Sequence, residues 1–258
     1  MTTTSAVTKR LEGVKKIILV LSGKGGVGKS TVACELARGL SLKGRVGLLD
    51  VDLTGPSIPR MMGVEGQSVH QSSEGWVPVY VDGVEGRLGC MSVGFLVKKK
   101  GESVVWRGPK KNGMIRQFLG DVRWGEIEYL VIDTPPGKRR GYEISMRLKG
   151  FTGTSDEHLA LMEHLSGVMN RVSCVIVTTP QAVAVSDAQK SVSFARAVGM
   201  KIGGLIENMS GYTCPCCGEF SRMFSTGGGE EMAKREEIEF LGRVAVNGLF
   251  IDIVGKLI

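Results

Sequence analysis

The chain has 258 residues, enough for one large α/β domain or two small ones with a real core. Charged residues make up 23% and hydrophobic residues 42%, which excludes a disordered chain, and the 37 glycines follow no collagen-like period. The net charge of +7 is uneven: residues 138–153 hold Lys138, Arg139, Arg140, Arg147 and Lys149 against Glu143, a local +4 that leaves +3 elsewhere, so the balance does not point to nucleic acid.

The first 16 residues are Thr-rich and mildly basic, and residues 1–13 are expected to form a short flexible tail. No apolar run approaches the roughly 18 residues of a membrane span, so neither a transmembrane helix nor a secretory signal is expected, and the reading is a cytoplasmic protein. Residues 16–21 are β-rich and end in a glycine-rich turn. From Lys29 to Ser41 the apolar residues Val32, Leu36 and Leu40 fall at helical spacing, and Val46 to Asp50 reads as a second buried strand. This strand, loop, helix, strand unit implies a parallel sheet. Residues 52–75 read as loop. Buried strands follow at 129–133, 173–178 and 202–206, with a helical pattern over 184–198. Residues 211–229 read as a second irregular stretch. The expected architecture is α/β, a doubly wound, mainly parallel sheet in a single domain.

Gly23, Lys24, Gly25, Gly26, Val27, Gly28, Lys29 and Ser30 match the phosphate-binding pattern G-x-x-x-x-G-K-[ST] completely, after a strand and before a helix. The glycines let backbone N–H groups turn into one concavity, and the helix N-terminus adds its dipole. Lys29 can neutralise phosphate oxygens, Ser30 can give a hydroxyl to Mg²⁺ and Thr31 can reach the α phosphate. Asp50 and Asp52 follow the second strand, and Asp133 ends a buried one. The second lysine, Lys24, makes the loop resemble the deviant Walker A motif of the signature-lysine ATPases. That class implies an ATP-sandwich dimer, in which Lys24 reaches phosphates across the interface. It also implies that Asp52 orients the attacking water, that Asp50 lies near the metal and that Asp133 holds hydrated Mg²⁺.

Of the six cysteines, Cys34, Cys90 and Cys174 sit alone in apolar surroundings, whereas Cys214, Cys216 and Cys217 crowd together. That is no disulfide framework; it fits a reducing compartment and one thiolate metal site. Cys214 and Cys217 form a C-x-x-C pair, which supplies two of the four ligands that zinc or a cluster usually takes, and a second chain can supply the others. A redox pair or a structural loop would carry the same spacing, although a redox motif should open a helix. His70 and His164, and Trp76, Trp106 and Trp124, read as surface or packing residues.

Further motifs follow the phosphate loop in order: residues 91–95, Met-Ser-Val-Gly-Phe; 105–109, Val-Trp-Arg-Gly-Pro; 133–137, Asp-Thr-Pro-Pro-Gly; 155–158, Ser-Asp-Glu-His; 206–210, Ile-Glu-Asn-Met-Ser; then Cys214 and Cys217. Together, over residues 14–244, they resemble the Mrp/nucleotide-binding-protein branch of the P-loop ATPases, which are scaffolds for iron–sulfur cluster assembly. No cysteine precedes Cys34, so the chain resembles the smaller of the two scaffold subunits in that branch. The resemblance implies a weak ATPase using ATP and Mg²⁺, with Asn208 against the adenine. It also implies a labile 4Fe–4S cluster bridging Cys214 and Cys217 of two protomers and passed to cytosolic and nuclear apoproteins. The implied partners are the larger scaffold subunit, a second copy of the chain, Fe–S targeting factors and apoproteins, with no nucleic acid and no membrane. Two readings of other classes share features: a positioning or partition ATPase, which would not need the cysteines, and a zinc-stabilised structural dimer.

Two segments depart from the family pattern. The family runs directly from Asp-Thr-Pro-Pro-Gly into Thr-Ser-Asp-Glu-His, whereas residues 138–153 intervene here, readable either as a retained intron or as a solvated loop insertion. Near the end, Ala245 and Asn247 stand where Pro and Asp are expected, and the chain stops at Ile258, which reads as a shortened C-terminus.

Overall fold

The computed structural model describes residues 6–53, 55–81, 86–96, 108–137, 157–221, 227–246 and 251–257. The chain forms two compact units: Met1–Leu19, Leu40–Pro135 and Gly150–Val172 make the first, and Val20–Gly39, Pro136–Lys149 and Ser173–Ile258 the second. Both are discontinuous in sequence, so no linker or shift in composition marks a boundary.

The first unit contains helix α1 (Ala6–Arg10), most of strand β1 (Val14–Leu21), β2 (Val46–Asp50), α3 (Ile58–Met61), β3 (His70–Ser72), β4 (Gly75–Val77), β5 (Val79–Tyr80), β6 (Leu88–Ser92), α4 (Gly108–Gly120), β7 (Ile127–Asp133) and α5 (Glu157–Leu165). Helix α2 (Lys29–Ser41) belongs to the second unit as far as Gly39. The strand order in the first unit is β1-β7-β2-β6-β5. Strand β2 pairs in parallel with β7 on one side and β6 on the other, and all five of its residues are buried. Burial on both faces is why it reads as an unbroken apolar run rather than an alternating one. The register sets Asp50 opposite both Asp133 and Ser92. Strand β5 closes the edge antiparallel to β6. Helix α4 packs on α1 and α5, with Ile115, Phe118 and Leu119 fully buried. The Phe118 ring meets Trp76 edge-on at 5.8 Å between centroids.

The N-terminal segment corrects one expectation. Where a flexible tail is read from the sequence, Ala6–Arg10 is helical, Val7 is buried and Leu11 is fully so. Arg171 Nη1 donates to the carbonyls of Leu11, Glu12 and Val14 at 3.0, 3.1 and 2.7 Å, and Arg10 Nε donates to Gly120 O at 2.9 Å. A guanidinium set against three carbonyls, with the buried Val7 and Leu11 beside it, holds a segment that composition alone reads as loose.

The second unit contains β8 (Val172–Thr178) from Ser173 onward, α6 (Ala182–Ala197), β9 (Lys201–Glu207), β10 (Tyr212–Thr213), β11 (Phe220–Ser221), α7 (Gly228–Arg235), β12 (Phe240–Arg243) and α8 (Ile251–Leu257). Strands β8, β9 and β12 are parallel neighbours in the order β12-β9-β8. Helices α6 and α7 cover β9 and bury Ala188, Val192, Ala195, Met232 and Ala233. Both units are therefore α/β with mainly parallel strands, as the periodicity predicts, and α2 keeps the limits read from the sequence. Two stretches read as irregular carry short elements instead: α3 and β3 within 52–75, with β4 starting at its end, and the β10–β11 hairpin within 211–229. Residues 138–153 and 247–250 lie outside the described residues, as does Trp106. No described helix is long and apolar enough to cross a membrane.

Phe118→Ala removes the largest fully buried side chain among the described residues of the first unit and is expected to cost about 3–5 kcal/mol of stability. Urea unfolding at pH 7 measures it; a loss under about 1 kcal/mol would mean that α4 is not packed as described.

Candidate functional site

The phosphate loop belongs to the second unit, between the end of β1 and the start of α2. Gly26 and Gly28 have φ of +80° and +81°. Backbone in this left-handed region turns neighbouring N–H groups toward one side and makes an anion-binding concavity. Gly28 is constrained twice, because a Cβ there would stand 2.1 Å from Asn208 Nδ2. Gly23 lies against the backbone of α6, where a Cβ would meet Asp187 O at 2.0 Å. The Ser22 hydroxyl donates to Lys24 O at 3.0 Å, and the Gly137 N–H donates to Ser22 O at 3.1 Å. Val27 and Lys29 are buried, Lys24 and Ser30 half-buried, and Gly25, Gly26 and Thr31 exposed. The loop is thus a backbone cradle with one buried and one half-buried lysine, suited to a polyphosphate.

Asn208, matched to adenine by the resemblance, has a role here that the sequence did not suggest. Its side-chain amide donates to the Val27 carbonyl at 2.9 Å, and its own N–H donates to Thr178 O at 2.8 Å. It braces the phosphate loop from the end of β9.

In the first unit, parallel pairing brings Asp50 and Asp133 together at the ends of β2 and β7, both buried. The Val51 N–H donates to Asp133 O at 3.0 Å. Burial, and then the neighbouring Asp133, raise the Asp50 carboxyl to about 8. Two hydrogen bonds oppose that rise: Ser92 Oγ donates to Asp50 Oδ2 at 2.9 Å, and the Asp52 N–H donates to Asp50 Oδ1 at 3.1 Å. Two buried carboxylates that repel each other form a hard oxygen donor set that a divalent cation such as Mg²⁺ fits. Asp52 is half-buried. Ser92 belongs to the 91–95 motif, which by itself assigns it no task. Its contact with Asp50 depends on pairing between strands 42 positions apart, which spacing does not reveal.

The cysteine pair lies in the turn of the β10–β11 hairpin, again in the second unit. The Cys214 N–H donates to Glu219 O and the Gly218 N–H to Cys214 O, both at 2.8 Å, and Gly218 has φ +73°. Cys214 is half-buried, while Cys216 and Cys217 are exposed. The Cys214 sulfur accepts hydrogen bonds from the backbone of Cys217 and Cys216 and from the Cys217 thiol, which holds its pKa below the usual thiol value. The C-x-x-C pair therefore shares one exposed turn, a soft donor set that suits zinc or an iron–sulfur cluster. The turn does not open a helix, contrary to what a thioredoxin-like motif requires. Cys34, Cys90 and Cys174 are buried, and burial pushes the Cys174 thiol up to about 12. No group of three or more His, Cys, Asp or Glu fit to hold a metal occurs among the described residues, so the pair needs ligands from elsewhere.

Glu207, the last residue of β9, also received no role from the sequence. Its side chain is fully buried, Oε2 accepts the Gly229 N–H at 2.7 Å, and Oε1 accepts from Arg243 Nε at 3.2 Å. Arg243 Nη2 bridges on to Glu230 Oε2 at 2.5 Å.

A family model described as ParA, NUBPL iron-transfer P-loop NTPase, matches residues 13–143 and 151–254; the break falls inside the segment 138–153 that the sequence sets apart. The chain is 53% identical over 245 residues to the cytosolic Fe-S cluster assembly factor CFD1 of Yarrowia lipolytica, covering 95% of this chain and 78% of the relative. It is 52% identical to the cytosolic Fe-S cluster assembly factor NUBP2 homolog of Nematostella vectensis, covering 93% and 83%. Among solved structures, a nucleotide-binding protein from Archaeoglobus fulgidus in complex with ADP, in which cobalt was found, matches with a TM-score of 0.74 at 34% identity, covering 100% of this chain and 91% of the other.

Gly28→Ala introduces both the left-handed strain and the collision with Asn208 and is expected to weaken ADP binding at least about tenfold, read by calorimetry. Binding within about twofold of wild type would show that the loop geometry is not what holds the nucleotide. Asp50 takes up a proton on folding, so its contribution is fully present below the unfolded carboxylate value near pH 4 and is lost as pH rises through about 8. Asp50→Asn, melted in EDTA without nucleotide, is expected to gain steadily on wild type from pH 4 upward, so that its offset from wild type at pH 8 lies several degrees above its offset at pH 4. Parallel melting curves for the two proteins across that range would refute the assignment.

Proposed function

This chain belongs to the NUBPL iron-transfer P-loop NTPase family, and from that premise we propose that it is an ATP-dependent scaffold that assembles a labile 4Fe–4S cluster and transfers it to cytosolic and nuclear apoproteins. The observation that carries this reading is the presence, in one compact unit, of a complete phosphate loop and an exposed turn that holds Cys214 and Cys217. A polyphosphate cradle alone suits many ATPases. A soft, exposed turn with two cysteines suits a metal cargo that must enter and leave. The positioning or partition reading leaves the cysteine turn without a task.

The cluster is cargo here. Two thiolates supply half of its usual ligands, so the remainder come from a second copy or from the larger scaffold subunit, with Cys214 and Cys217 of each protomer facing the cluster. Apoproteins and Fe–S targeting factors are the recipients and guides in this reading, and the setting is the cytosol, in keeping with the names of the relatives. ATP turnover is weak and coupled to loading or release. Gly23 through Thr31 hold the phosphates, Lys29 neutralises their charge, Ser30 gives its hydroxyl to Mg²⁺, and Lys24 acts across the dimer. In this reading Asp52 would orient the attacking water and Asp133 would hold hydrated Mg²⁺, an ion that supplies positive charge against the phosphates. Asn208 faces the adenine while its amide holds Val27.

Anaerobic reconstitution, followed by iron, acid-labile sulfide and zinc analysis, tests the proposal. About four iron and four sulfide per dimer are expected, and both should be lost in the Cys214→Ala/Cys217→Ala double variant. Zinc alone, or iron unaffected by the double variant, would overturn the cluster assignment and favour a structural metal dimer.

A further inference from the structure

The cysteine hairpin grows from a stem that is fixed on several sides. At its entry, Glu207 ends β9 with a fully buried side chain. At its exit, Gly229 in the first turn of α7 gives its N–H to that same carboxylate at 2.7 Å. One buried group therefore clamps both ends of the segment that carries Cys214 and Cys217. Arg243 holds the carboxylate at 3.2 Å and ties it to Glu230 in the first turn of α7. The backbone of the stem is also zipped to the chain after β12: Val244 N–H to Glu207 O at 2.9 Å, Ser210 N–H to Val244 O at 2.9 Å, and Val246 N–H to Gly211 O at 2.8 Å.

The same stem touches the phosphate loop. Asn208, next to Glu207, holds the Val27 carbonyl. Met209 follows with φ +55°, a left-handed conformation unusual for a side chain of its kind, and its terminal methyl lies 3.4 Å from where a Gly28 Cβ would be. A non-glycine residue stays in that region only where its surroundings over-determine it. Both fixed points lie within six residues of Cys214, on a backbone with little freedom between them.

We propose that Glu207 is a positioning residue that couples the two sites: by clamping the base of the hairpin, it makes the thiol geometry of Cys214 and Cys217 depend on the phosphate-loop backbone held by Asn208. The inference rests on the reading of the cysteines as the metal-cargo site. A nucleotide that engages the N–H groups of the loop fixes the Val27 carbonyl and, through Asn208, the stem. Metal then meets a turn with less left to order, so occupancy of the phosphate loop tightens metal binding at the thiols. Without the clamp at Glu207, α7 and the exit of the hairpin no longer share an anchor with Asn208, and the two sites respond separately.

Co²⁺ is the probe, because thiolate-to-cobalt charge-transfer absorption reports the cysteine pair directly. In the full-length reduced protein, Mg-ADP is expected to lower the Co²⁺ dissociation constant about fivefold or more, and by reciprocity Co²⁺ should tighten ADP binding by the same factor. Glu207→Ala is expected to bring both factors below about twofold, whereas Glu207→Gln, which keeps an acceptor for the Gly229 N–H, should retain most of the wild-type factor. A purely structural role would change the Co²⁺ affinity without removing its dependence on ADP. Should Glu207→Ala not fold, Arg243→Met decides: its side chain is 44% exposed, it orients the Glu207 carboxylate, and its loss is expected at least to halve the factor. The coupling is overturned if wild type shows no shift, or if Glu207→Ala, or Arg243→Met in its place, keeps the full one. Charge-transfer bands that persist in Cys214→Ala/Cys217→Ala would instead overturn the reading of the cysteines, and this proposal with it.

Discussion

Parallel strand pairing is the constraint on which the rest of this molecule depends. When neighbouring strands run in the same direction and in register, their last residues fall on one line, and the loops that follow them leave from one edge. In the first unit that line holds Asp50, Asp133 and Ser92. In the second, Thr178 stands opposite Glu207, and the Asn208 N–H that follows bonds back to Thr178 O. Polar residues at these positions are not spread over the surface; they are buried, and they are buried because the sheet continues past them on both sides. Their desolvation is tolerable only because neighbouring strand ends supply partners: a hydroxyl and a backbone N–H for Asp50, and a guanidinium and a helix N-terminus for Glu207.

Much of this was legible in the amino-acid order, and the reason is locality. The phosphate loop is eight consecutive residues, its helix follows at once, and the buried strands are short apolar runs between turns. The C-x-x-C pair is local as well. What the sequence did not reveal is the set of contacts between residues that are distant along the chain. Ser92 meets Asp50, Asn208 meets Val27 across 181 positions, and Arg171 meets Leu11 across 160. No pattern within a window of neighbouring residues encodes such a contact. The misread N-terminal segment has the same cause: its composition is that of a loose tail, and its order comes from Arg171 and from a place for Leu11 in the core.

The six cysteines divide by environment in a way that separates packing from chemistry. Cys34, Cys90 and Cys174 behave as small apolar residues, and the thiol of Cys174 is held protonated by its surroundings. Cys214 is the reverse case, with backbone N–H groups aimed at its sulfur and solvent on its open side. A protein that handles a reactive metal cargo benefits from this division, since thiols able to bind metal elsewhere would compete for it.

The three carbonyls gathered by Arg171 also bear on how the chain matures during synthesis. Leu11, Glu12 and Val14 leave the ribosome early, but the guanidinium that receives them is made about 160 residues later. The first unit is assembled from three separated stretches, the last of which ends at Val172. Contacts of such long sequence separation form late, so these three carbonyls meet their guanidinium only when most of the first unit has been made, although α1 already has α4 to pack on. The order of the amino-terminal segment is thus completed only when Arg171 has been made, although its sequence is the first to be translated.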